Sequence, residues 1–86
     1  MNVKVFSQRF NRELCSMELP EDLSEKTKAI SKIFLVTRHM ANAMIFGNIV
    51  PSQEQLLRIA EILDVCPRWL SGETNKRKAF MEKETA

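Results

Sequence analysis

Apolar residues recur at intervals of three and four along nearly the whole chain, and no segment alternates in the two-residue rhythm of a half-buried strand. That pattern confines the fold to packed helices. Eighty-six residues can surround only one small core, burying roughly 60–65% of the unfolded surface. A sheet with helical crossovers, or a cleft between two domains, needs more chain. Two Gly, three Pro and no Tyr leave little material for turn-rich β-structure. Hydrophobic residues at 44% and charged residues at 28% argue against wholesale disorder. The fold class expected is all-α.

Phe6, Phe10 and Leu14 stand at i, i+4 and i+8, one stripe of a first helix over about 5–16. Pro20 ends that segment, because Pro disfavours helix at the residue before it and cannot extend the ladder. Asp22 with Glu25 three residues on resembles a capping box. A second helix then turns Ile30, Ile33 and Phe34 inward and Lys26, Lys28 and Lys32 outward, losing its pattern at Leu35 and Val36. Thr37 caps a third helix with Met40, Ala41, Met44 and Ile45 inside. It stops at Phe46-Gly47-Asn48, where Gly and Asn tolerate the left-handed closing conformation. Ser52 and Gln55 form a capping box for a fourth helix, whose stripe is Leu56, Ile59, Ala60 and Leu63, widened by Leu57 and Ile62. Pro67 opens a short fifth helix that Gly72 ends. Five helices over 1–73 make the domain. Residues 74–86 read as a polar tail, frayed or contributing to dimerisation.

The net charge of +2 is unevenly spread. Residues 23–50 carry Lys26, Lys28, Lys32 and Arg38 against Glu25, and residues 51–75 carry two bases against four acids. This asymmetry permits a polyanionic partner. Cys15 and Cys66 lie far apart with a single His in the chain, too few ligands for a structural zinc, so no metal or cofactor is expected. Two buried, reduced thiols, no secretory leader and no apolar run near the ~20 residues of a membrane span read as a cytoplasmic protein without a membrane partner. No spacing suggests a nucleophile elbow or an activated base, and an enzyme is not expected.

A connection of three or four residues between the second and third helices forces them to pack at roughly 90–120°, the helix-turn-helix geometry. A helix held crosswise in this way can project its N-terminal half into a DNA major groove about 12 Å wide. The outward positions expected on the third helix are Arg38, His39, Asn42 and Ala43. Arg can fork onto guanine, Asn can pair with adenine, Ala can touch a thymine methyl, and His can donate or accept. Lys26, Lys28 and Lys32 would lie over phosphates, adding affinity without sequence reading. Each has a bland alternative: Arg38, Asn42 and the lysines as a solvated face, His39 as an exposed imidazole.

Val36-Thr37-Arg38-His39 resembles the Val-Ser-Arg opening of the recognition helix in the lambda-repressor-like (Cro/repressor, xenobiotic-response-element type) helix-turn-helix family. Phe46-Gly47-Asn48-Ile49-Val50-Pro51-Ser52 keeps that family's Gly and Pro-Ser without a gap, and Leu56-Leu57-Arg58-Ile59-Ala60-Glu61-Ile62-Leu63 resembles its fourth helix. Pro67-Arg68-Trp69-Leu70-Ser71-Gly72-Glu73 is similar to an ending common in phage repressors of this kind. The likeness spans about 5–73. It implies a compact five-helix DNA-binding domain, a phage- or mobile-element-type repressor that reads a palindromic operator as a homodimer at the nucleoid of a bacterial host. Thr27, Thr37 and Asn48 join the phosphate-facing set.

The chain departs from the family at Leu35, where Gly is usual and a side chain would have to accept a left-handed backbone. Thr27 replaces the usual Gln, and Ser31 the usual small Ala. Residues 17–23 form a longer first connection, and Met44-Ile45-Phe46 is more apolar than usual. Trp69 reads as a core closure or a dimer contact, with Leu70 and Phe80 beside it in a dimer surface. The rival function is a protein-interaction module of the antitoxin or antirepressor kind, for which the apolar Met44-Ile45-Phe46 end would serve a protein partner.

Overall fold

The polar side chain of Asn2 starts the first helix by accepting from the backbone N–H groups of Lys4 and Val5 at 3.0 and 3.1 Å. The computed structural model describes residues 2–80. They form α1 (Val3–Leu14), α2 (Leu23–Phe34), α3 (Arg38–Ile45), α4 (Gln53–Leu63) and α5 (Pro67–Leu70), with no strand among the described residues. Because the cap sits at Asn2, α1 begins two residues ahead of the expected 5–16 and ends at Leu14. The apolar stripe that marks a helix starts only where the helix meets the core, at Phe6.

The other starts follow local chemistry. Asp22 accepts from the Glu25 N–H at 3.1 Å and Thr37 from the Met40 N–H at 3.0 Å. Ser52 and Gln55 bond reciprocally at 3.2 and 3.1 Å, each satisfying an N–H with no partner inside the helix. Pro67 occupies the first turn of α5, where a missing N–H costs nothing. Gly47, at φ 72°, closes the end of α3.

Three residues join α2 to α3. Leu35 adopts φ 56° and ψ 46°, the left-handed conformation its position demands. Ser31 holds it there. Its carbonyl accepts from the N–H groups of Leu35 and Val36, and its hydroxyl donates to the Val36 carbonyl at 2.5 Å. The Ser31 hydroxyl therefore has a partner in the turn itself.

The core lies where α1, α2, α3 and α4 converge. Phe6, Phe10, Ile30, Phe34, Ala41, Met44, Ile59 and Ala60 are fully buried. Phe6 stacks on Phe10 and Phe10 meets Phe34 edge-on, both at 5.5 Å between centroids. Burying each such ring stabilises the fold by roughly 1.5–3 kcal/mol. α1 also seats α3: the Ser7 hydroxyl and the Asn11 amide donate to the Ile45 carbonyl at 3.0 and 2.9 Å, satisfying an acceptor at the end of α3.

Residues 74–80 form a strap rather than a frayed tail. The Lys78 carbonyl accepts from the Cys66 N–H at 2.7 Å, and Phe80 donates its N–H to Asp64 at 3.2 Å while packing against the core. Arg77 grips Glu13 of α1 through two bonds of 3.1 and 2.5 Å. The Glu13 bond raises the pKa of Arg77, against the opposing effect of burial. Arg9 reaches from α1 to the carbonyls of Trp69 and Thr74. Two guanidinium groups thus lie over the Trp69 ring, Arg9 at 5.0 Å and Arg77 at 5.5 Å from its centroid.

Those contacts take Trp69 and Leu70 out of the expected dimer surface. Trp69 and Leu70 are 4% and 0% exposed, closing the chain's own core, and Phe80 is half-buried against the same core. The rest of the tail, 81–86, lies outside the described residues.

Candidate nucleic-acid interface

Helix α3 turns about 100° per residue, which sorts its side chains around one axis. Arg38 and Asn42 stand one turn apart in one row, with His39 beside them, and all three are exposed. Ala41 and Met44 occupy the opposite side and are fully buried. Thr37 is exposed at the start of the helix. Its oxygen accepts from Met40 while its hydroxyl proton stays free to donate outward.

Ala43 does not join this face. It stands one turn after His39, but at 7% exposure it offers almost no surface to a thymine methyl. The position expected to point outward belongs to the flank of the core.

Arg38, His39 and Asn42 share an open groove with Leu23, Ser24 and Thr27 of α2. The two helices therefore present one continuous surface at this end of the molecule. Thr27 is only 8% exposed and sits in the floor of the groove. At that exposure it offers little surface to a phosphate, against its expected role. Asn48, just beyond α3, is exposed and donates its backbone N–H to the Ala43 carbonyl at 2.9 Å.

The lysines of α2 separate into two sides. Lys28 and Lys32 are one turn apart and line a second depression with Pro20, Glu25 and Ala29. Lys26 lies two residues before Lys28, about 160° around the helix, while both are half-buried and Lys32 is exposed. A phosphate strand running along one side of α2 would meet Lys28 and Lys32 but not Lys26.

Phe46 is the residue that sequence reasoning left off the face. Its N–H bonds to the Asn42 carbonyl at 3.1 Å, so it continues the Arg38–Asn42 row by one more turn. The ring is 57% exposed. The signal is present in the numbering, since Phe46 stands four residues after Asn42, but Phe46 reads with Gly47 and Asn48 as the stop of the helix and as part of an apolar end for a protein partner.

Among the described residues no three His, Cys, Asp or Glu side chains gather as a metal cluster, and the free thiols are not both buried as expected, since Cys15 is exposed and Cys66 half-buried. No described helix is long and apolar enough to cross a membrane. Comparison of the chain with protein-family models, curated proteins and solved structures finds no match.

Proposed function

We propose that the chain is a sequence-specific DNA-binding regulator of the lambda-repressor-like helix-turn-helix kind, with α2, the Leu35–Thr37 turn and α3 as the motif. The carrying observation is the exposed face of α3, where Arg38, His39 and Asn42 stand together beside the groove shared with α2. A helix about 10–12 Å across matches a major groove about 12 Å wide. Arg38 and Asn42 offer forked donors and a donor–acceptor pair, suited to guanine and adenine edges. Lys28, Lys32, Thr37 and Asn48 serve the phosphates, where contacts position without specifying.

A single helix reads only a few base pairs, so the regulator acts as a homodimer on a palindromic operator, in the cytoplasm and as a repressor. Trp69 and Leu70 are committed to the core, and Leu57 and Ile62 of α4, each 42% exposed, offer apolar side chains for self-association on two sides of the helix, about 140° apart. Sedimentation should give twice the 10.0 kDa chain mass. A monomer both free and on DNA would remove the dimer.

Selection of bound sites from random DNA tests the function directly. Wild type should enrich one palindromic site. Folded Arg38→Ala and Asn42→Ala should each lose about 1–3 kcal/mol on it and relax preference at different base pairs. No enrichment by wild type, or unchanged specificity in both variants, would sink the reading.

A second reading, a protein-interaction module of the antitoxin or antirepressor type, draws on the exposed rings and side chains of Phe46 and Leu35, 57% and 68% accessible. It requires salt-resistant association with a co-encoded protein and no retention on DNA.

A further inference from the structure

Resting on the DNA-reading assignment of α3, we infer that Phe46 reads a thymine methyl group at the end of the operator half-site farthest from the base that Arg38 contacts.

A phenyl ring with more than half its surface in water forgoes most of the stabilisation that burial brings. Phe46 is such a ring, at 57% exposure, and it stands outside the cluster of core residues. It is therefore not needed to close the fold. Its placement is specific: the bond from its N–H to the Asn42 carbonyl keeps it in helical register. Arg38, Asn42 and Phe46 form a single row, polar at the start of α3 and aromatic at its end.

The row has a length that can be compared with DNA. Eight residues at 1.5 Å rise place Phe46 about 12 Å beyond Arg38 along α3. Base pairs are spaced 3.4 Å apart, so a helix lying along the groove would set Phe46 about three to four base pairs from the Arg38 contact. The only apolar group on a base edge in the major groove is the C5-methyl of thymine, and Phe is among the side chains that suit it. Ala43, the residue expected to make such a contact, faces the core at 7% exposure. Phe46 takes its place, one turn beyond Asn42. The exposed ring thereby becomes a specificity determinant rather than a protein anchor.

The test uses the site selected by the wild-type protein. Each thymine in it is replaced in turn by deoxyuridine, which lacks only the methyl group. For wild type, one substitution per half-site, about three to four base pairs from the guanine lost in Arg38→Ala, should weaken binding about fourfold, the factor for burying one methyl group. Phe46→Ala should bind thymine and uracil sites alike at that position, and Phe46→Leu should keep part of the preference. Circular dichroism melts should match wild type, since the ring lies outside the core. If Phe46→Ala keeps the full thymine preference, or no thymine matters to wild type, the inference falls while DNA reading by α3 stands. If wild type selects no site, the functional reading fails and this inference with it.

Discussion

Arg77→Ala removes two things from the molecule, a paired bond to Glu13 and a cation over Trp69. Glu13 is nearly enclosed, its side chain 10% exposed, whereas that of Arg77 is 48% exposed. Pairs on the open surface are worth ~0.2–1 kcal/mol, and stripping the partner from a fully buried charge costs ~3–5 kcal/mol. Water screens the half-exposed Arg77, so the loss belongs between these limits, ~1–2 kcal/mol. Uncovering the Trp69 ring adds ~0.5 kcal/mol. A total of about 2 kcal/mol lowers Tm by about 8–16 °C in a domain of this size. Glu13→Gln in the same background removes the stranded charge and should recover about 1 kcal/mol, a coupling that independent sites would not show. Thermal and urea melts can follow the protein's one tryptophan, undisturbed by tyrosine. The raised pKa of Arg77 keeps its contribution whole at neutral pH, since that contribution fades only as pH climbs through the folded value. An Arg77→Ala variant within about 0.5 kcal/mol of wild type, or a strictly additive cycle, would show that the strap does not hold the fold.

Leu35→Gly should be more stable than Leu35→Val by about 1–2 kcal/mol in urea titrations, because the left-handed backbone penalises a side chain and most of all a branched one; equal stabilities would contradict the φ of 56°. Gly47→Ala should destabilise by about 1–2 kcal/mol, since φ is 72° and the added Cβ would lie 3.3 Å from the Ser7 Cβ; an unchanged Tm would count against that packing. Lys28→Ala should reduce the slope of log affinity against log salt by about 0.9 and leave the selected sequence unchanged, whereas Lys26→Ala should alter the slope little; anisotropy titrations separate the two.

The starts of α2, α3, α4 and α5 were legible in the sequence because the chemistry that starts them is local. Asp22, Thr37 and Ser52 each bond three residues ahead, and Pro67 supplies its own fixed dihedral. The Phe6, Phe10 and Leu14 stripe and the buried side of α4 were legible for the same kind of reason, since period alone assigns residues to one side of a helix. Periodicity also placed Arg38, His39 and Asn42 on one exposed side of α3. Asn2 escaped notice because its helix starts before its apolar stripe does.

What periodicity cannot supply is the direction from which other segments cover a helix. Ala43, expected outward, is 7% exposed, while Phe46, beyond the expected contact set, is 57% exposed, because neighbouring segments cover one flank of α3 and leave the end of the Arg38–Asn42 row open. Trp69 and Leu70 are interior because α1 and the strap close over them, through partners as distant in sequence as Arg9 and Trp69, 60 positions apart, and Glu13 and Arg77, 64 apart. The sequence alone determined five helices, the caps of α2, α3 and α4 and the short turn between α2 and α3, since those depend on residues within a turn of one another. Only the tertiary structure decided which apolar side chains are core, which basic residues share a side and whether the tail is bound, because burial is a relation between segments that meet only when the chain has folded.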